Sequence, residues 1–257
     1  MEGGAMNRNN NREVNRQSLG DRIYRTPVIY VVSACIGAAV AMFLLITLVF
    51  FICGGGRFTD EVGGVTYKYF GIVHDDVPTF GSFKCSDGRK GRVSGNRVTF
   101  NDGSYYEGGL YLLRFSGEGR FTDKNGNEYV GEFADGKQTG GGFVYYADGG
   151  KFAGQFENGL FNGYGEITYA DGGAYKGFFR DGEKHGYGEM TYPSGDSYKG
   201  YFERGMRHGK GEYRFASGDS YTGDFKYNLM DGFGTYFFAS GRVYSGEFVA
   251  SVPQTEQ

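Results

Sequence analysis

The sequence predicts an all-β chain: an elongated, single-layer antiparallel sheet of stacked 23-residue β-hairpin repeats, preceded by one transmembrane α-helix. Three observations predict it. The first is a line that returns in register, as Tyr129-Val-Gly131-Glu-Phe133, Phe152-Ala-Gly154-Gln-Phe156, Tyr175-Lys-Gly177-Phe-Phe179, Tyr198-Lys-Gly200-Tyr-Phe202, Tyr221-Thr-Gly223-Asp-Phe225 and Tyr244-Ser-Gly246-Glu-Phe248, with a weaker copy at Tyr106-Glu-Gly108-Gly-Leu110. The leading aromatics stand 23 residues apart throughout, and a fixed period of that size marks a repeat architecture. The second is a Gly-x-Gly pair on the same step, from Gly117 and Gly119 to Gly232 and Gly234. The third is the stretch 27–53, which carries no charged residue.

Composition narrows the function classes. The chain has 257 residues, with 48 Gly but only 4 Pro and no Gly-X-Y order, so it is not collagen-like. The 22 Tyr and 24 Phe separate it from disordered chains. A formal net charge of −3 argues against nucleic acid as a partner. Three scattered cysteines make neither a disulfide framework nor a zinc site, and no cofactor is expected.

Residues 1–26 are polar and rich in Asn and Arg, and read as a disordered tail. Residues 27–53 are long enough as a helix, at ~1.5 Å per residue, to cross a ~30 Å hydrocarbon core. A cleaved signal peptide would have a shorter apolar region. Five arginines precede the stretch, and only Arg57 and Lys68 follow closely. The positive-inside rule then places the N-terminus in the cytoplasm and the repeats in a lumen or outside the cell. Ser33, Gly37 and Ala41 recur every four residues. Such spacing lets two membrane helices approach closely as a homodimer, although small residues are common in membrane helices anyway.

Residues 54–95 read as a glycine joint, Gly54 to Gly56, followed by degenerate capping repeats. Tyr69-Phe-Gly71-Ile-Val73 and Phe80-Gly-Ser-Phe83 are the weak copies, and a short hairpin turns at Ser94-Gly95-Asn96. Lys84, Arg89, Lys90 and Arg92 make this region basic, a candidate for acidic-lipid contact.

Residues 96–250 form the repeat domain, and 251–257 read as a second disordered tail. In the unit starting at Tyr175, the residues Tyr175, Gly177 and Phe179 alternate, as do Gly186, Gly188, Met190 and Tyr192. Glycine-bearing turns stand at Asp181-Gly182 and Ser194-Gly195. Two short strands and two turns make a β-hairpin unit. Glycine this dense would cost a helix about 1 kcal/mol per residue. The glycines on the aromatic face are expected to seat a ring from a neighbouring hairpin against bare backbone. At ~4.8 Å per strand, seven anchors give a rod of ~65 Å or more.

The pattern Tyr-x-Gly-x-Phe, then Asp-Gly-x-x-His-Gly-x-Gly, then an aromatic and (Asp/Ser)-Gly resembles the MORN repeat family, from about 96 to 248. Leu110, Asp123 and Asn228 depart from it locally. The resemblance implies an elongated sheet of hairpins used for scaffolding, dimerisation, membrane association or phospholipid contact. It implies no catalysis, and no constellation of nucleophile, base and orienting group stands out, so the chain reads as not an enzyme. His185 and His208 share a repeat position held elsewhere by Ser116, Thr139, Asn162 and Asp231, which points to a polar contact and not a metal ligand.

The other face of the strands carries Tyr164, Phe178, Tyr187 and Tyr201. A contiguous exposed strip of that kind is a candidate docking surface for a protein partner or a second copy. From residue 96 onward 16 basic residues face 22 acidic ones, so broad attraction to anionic membranes is not expected. Local lipid contact falls to Arg204, Arg207, Lys210 and Arg214, with the basic lead-in as the other candidate. The expected work is that of a membrane-anchored scaffold. The alternatives are a phospholipid-binding module that bridges membranes and a non-catalytic regulatory component of an enzyme complex.

Overall fold

In the computed structural model, the described residues are 55–62 and 65–254. The chain divides into units Met1–Gly55 and Gly56–Gln257. The stretch 27–53, with Ser33, Gly37 and Ala41, lies outside the described residues. No helix among the described residues is long and apolar enough to cross a membrane.

One 19-stranded antiparallel sheet contains every described element. The lead-in supplies β1 (Gly55–Val62), β2 (Val65–His74), β3 (Val77–Cys85), β4 (Lys90–Ser94) and β5 (Arg97–Phe100). The hairpins follow as β6 (Tyr105–Tyr111) with β7 (Arg114–Thr122), β8 (Glu128–Ala134) with β9 (Lys137–Tyr145), and β10 (Lys151–Glu157) with β11 (Leu160–Thr168). Next come β12 (Ala174–Arg180) with β13 (Glu183–Thr191), β14 (Ser197–Glu203) with β15 (Met206–Arg214), and β16 (Ser220–Lys226) with β17 (Leu229–Phe237). The order ends with β18 (Val243–Val249) and β19 (Val252–Pro253). Val252 and Pro253 lie in the stretch read as a tail. They pair with β18 because Ala250 and Ser251, both at positive φ, keep the 23-residue step of the Tyr227-Asn228 turn. Gly55 and Gly56, read as part of a joint, open β1.

Each unit turns twice. At Asp181-Gly182 both residues have positive φ, 51° and 85°, the conformation of a type I′ turn that matches the twist of its strands. The Gly182 N–H donates to the Phe161 carbonyl 2.9 Å away, one unit back. At the opposite sheet edge, Asp196 accepts from the Ala216 N–H at 2.8 Å and from the Tyr213 hydroxyl at 2.8 Å. Those bonds, the backbone one first, hold its carboxyl below the usual aspartate range. Asp219 repeats the arrangement with Ala239 and Tyr236.

The core lies on one face of this single layer, which we call the core face. It has a floor, a ring and a lid. The floor is an unbroken row of glycines, paired strand to strand from Gly108 on β6 to Gly246 on β18. The anchor ring lies flat upon it: a Cβ on Gly188 would meet the Tyr175 ring at 2.5 Å. The lid is the second residue of the returning strand. Phe115 stacks on Tyr106 and Phe161 on Phe152, each with centroids 3.8 Å apart. Lys184 and Arg207 hold the same place over Tyr175 and Tyr198, at 5.5 and 5.7 Å. That layering buries Tyr175 and Tyr198 to 1 % exposure with no second sheet. Burial pushes the Tyr106 hydroxyl up to about 12.

The seating differs from the expectation in two ways. The ring comes from the same hairpin as its floor, since Tyr175 covers Gly177 of its own strand and Gly188 of the partner strand. Only the second glycine of each Gly-x-Gly pair is a floor residue. The first, Gly186, sits at φ 63° where the register shifts between β12 and β13, and its Cβ position is 3.7 Å from its nearest neighbour. Its role is a left-handed backbone conformation at a bulge, not close approach. The Tyr175 hydroxyl closes this bulge by donating to the Phe178 carbonyl at 2.9 Å.

Neighbouring hairpins are coupled by the second anchor residue. Phe202 stands edge-on to Tyr198 of its own unit and to Tyr175 of the unit before, both with centroids 5.1 Å apart. Phe225 and Phe248 repeat this against Tyr198 and Tyr221. Each such pair contributes ~0.5–1.5 kcal/mol beyond area burial.

Candidate functional site

The face opposite the core, the open face, carries what the fold does not consume. Alternation puts Tyr164 on β11 opposite Phe178 on β12, and Tyr187 on β13 opposite Tyr201 on β14. All four are exposed, at 44, 51, 43 and 52 %. They form two edge-to-face pairs, with centroids 5.6 and 5.5 Å apart. The bulge at Gly186 separates the pairs, and His185 rather than Tyr187 lies opposite Phe178.

A second row runs beside the rings and was not anticipated. Glu166, Lys176, Glu189, Lys199 and Glu212 are successive cross-strand partners from β11 to β15. Lys176 lies 2.5 Å from Glu166, and Lys199 lies 2.7 Å from Glu189. The pairing, through the hydrogen bond first, raises both lysine pKa values. Exposed pairs of this kind add only ~0–1 kcal/mol to stability. Their signal in the sequence is the alternation of sign at one repeat position. Beyond the strip the ring positions turn polar: Lys210 pairs with Asp224 at 2.8 Å, and the exposed Phe233 lies opposite Glu247.

The basic cluster in the repeats does not come together. Arg207 is on the core face as the partner of Phe202, while Lys210 and Arg214 are on the open face and Arg204 is in a turn. Arg207 is enclosed by Tyr192, Tyr198, Tyr213 and Phe225 at 4.7 to 6.0 Å, and donates to the Asn228 carbonyl at 2.6 Å. Cation–π attraction holds it there. Arg214 pairs with Glu212 at 2.7 Å. Strand parity is the physical reason for the dispersal, since odd positions of β15 share the face of Tyr213 and even positions do not.

In the lead-in, Lys84, Lys90 and Arg92 share the open face. Arg89 leaves them: it pairs with Asp87 at 2.8 Å and donates to the Tyr67 hydroxyl at 3.1 Å. His208 lies 3.5 Å from Glu203, and two units earlier the equivalent pair, Asn162 and Glu157, is also bonded. Among the described residues no group of three His, Cys, Asp or Glu is arranged to hold a metal ion.

The MORN repeat family matches residues 129–151, 152–174, 175–197, 198–220 and 221–241. Five consecutive stretches of the chain thus match the MORN repeat, and they form part of the open, single-layer sheet. The ring-on-glycine seat extends beyond them, to Tyr106 over Gly108 and Gly119 and to Tyr69 over Gly71 and Gly81. No curated protein matches the chain. Among solved structures, the SAS-4 (dCPAP) TCP domain of Drosophila melanogaster, in complex with a proline-rich motif of Ana2 (dSTIL), is 14% identical. The match covers 65% of this chain and 88% of that one, with a TM-score of 0.36. The Danio rerio CPAP TCP10 domain, in complex with a STIL peptide, is 11% identical over 75% of this chain and 84% of that one, with a TM-score of 0.38.

Proposed function

We propose that the chain is a membrane-anchored, non-catalytic scaffold that holds a protein partner on the open face of β11–β14. The observation that carries the reading is the pairing of two exposed aromatic couples with a flanking row of alternating charge. Aromatic side chains supply contact area at low entropic cost. Alternating charges set register and reject wrong partners. A bilayer is a poorer occupant, because the row has three carboxylates to two ammonium groups and would have to be desolvated against lipid. A second copy of the chain is the other occupant of the same surface. The proposed anchor is the uncharged stretch 27–53, and the arginines before it support a topology with the N-terminus cytoplasmic and the repeats lumenal or extracellular.

A photo-crosslinking residue at position 187, in the full chain in its native membranes, tests the reading. The expected product is one adduct of discrete mass, which distinguishes a partner from a second copy. The same probe at position 190, where Met190 is buried on the core face, is expected to give none. Equal adducts from both positions, or none from 187, would remove the open face as the docking surface.

A further inference from the structure

The lead-in carries a charge pattern unlike that of the pairs further along the open face. There five basic residues meet carboxylates: Arg97 with Glu107, Arg120 with Glu128, Lys176 with Glu166, Lys199 with Glu189 and Lys210 with Asp224. On β2, β3 and β4 they meet each other. Lys68 is the direct cross-strand partner of Lys84, and Lys84 of Lys90. Arg92, two residues along β4, sits between Ser82 and Thr99 on the same face. All four side chains are exposed, and none makes an ion pair among the described residues. They line a groove of about 560 Å³ with Phe70 at its side. The strands belong to none of the five matched repeats, so the cluster is a feature of this chain's lead-in.

Like charges directly opposite one another destabilise a sheet. Strands ~4.8 Å apart crowd three ammonium groups into ~10 Å, and a bound anion relieves the repulsion. Spacing selects the anion. An extended acidic peptide presents same-face carboxylates only every ~6.8 Å, one charge each. A compact ligand with several phosphates brings up to two charges per group at closer spacing, and the Arg92 fork suits bidentate phosphate contact. We propose that Lys68, Lys84, Lys90 and Arg92 form a binding site for a compact, multiply phosphorylated anion. The site does not depend on the docking strip, and it excludes Arg89.

The experiment titrates the purified full chain in detergent with inositol hexakisphosphate, and the reconstituted chain with vesicles of phosphatidylinositol bisphosphate or phosphatidylserine matched in total charge. Lys84→Glu is the decisive variant, because a carboxylate between Lys68 and Lys90 relieves their repulsion and keeps the fold. The expected result is at least a tenfold loss of affinity in Lys84→Glu with an unchanged or raised unfolding midpoint, and no loss in Lys210→Glu. Binding of the soluble hexakisphosphate identifies a free ligand, and binding of phosphoinositide vesicles alone identifies a headgroup; both support the site. Equal binding by wild type and Lys84→Glu overturns it. So does equal binding of phosphatidylserine and phosphoinositide vesicles, or tighter binding of a poly-glutamate peptide than of the hexakisphosphate.

Discussion

Gly188→Ala is expected to destabilise the sheet by about 3 kcal/mol, near the upper end for overpacking. The added methyl would stand 2.5 Å from Cε2 and Oη of Tyr175 and 2.7 Å from Cζ. Neither side can yield. The ring is pinned by its hydroxyl bond to the Phe178 carbonyl and by Phe179 and Phe202 against its edges. The glycine is pinned by β12 on one side and β14 on the other. Gly186→Ala is expected to cost only the left-handed backbone penalty, ~1–2 kcal/mol, since its Cβ position is open. Denaturant unfolding of both variants gives the order. A larger loss at Gly186 would mean that the bulge, and not the ring seat, carries the fold.

Phe202→Ala is expected to cost about 4 kcal/mol, as buried Phe→Ala changes do. Its larger consequence is to uncouple the array. Phe202 is the edge-on link between the units of Tyr175 and Tyr198, and repeat arrays unfold together only while such nearest-neighbour terms hold. Equilibrium unfolding is expected to split into two steps, with amide exchange quickening first on the side of the cut that keeps fewer hairpins, β14–β19. A single sharp transition at a lower midpoint would show that the hydrogen-bonded ladder, and not the aromatic links, transmits cooperativity.

Much of this architecture is written in the 23-residue step. Period-two alternation around Tyr175, Gly177 and Phe179 implies a strand, and a row of side chains without Cβ implies something lying upon it. Three features were less legible. Spacing cannot tell whose ring covers a glycine, because Gly188 has neighbours on both sides and only the register makes Tyr175 its occupant. Nor does the letter glycine say which constraint it answers: Gly186 answers a dihedral angle and Gly188 a distance. The dispersal of Arg204, Arg207, Lys210 and Arg214 was legible in parity, but proximity along the chain reads as a cluster until parity is applied. Lys68 illustrates the converse. It is 16 residues from Lys84 in the chain, and only the pairing of β2 with β3 joins it to the basic groove.

The aromatic residues of this chain thus divide between two faces: those of the core face hold the sheet together, and those of the open face are proposed to hold a partner. Replacing Tyr164, Phe178, Tyr187 and Tyr201 together by Ser tests that division most directly, with thermal unfolding and association measured on the same sample. The division predicts loss of the partner or self-association. It predicts a total stability loss of about 2 kcal/mol, since only two exposed edge-to-face pairs disappear. That total is less than the single Phe202→Ala change. Collapse of the fold in the quadruple variant, or association that survives in a folded one, would contradict it.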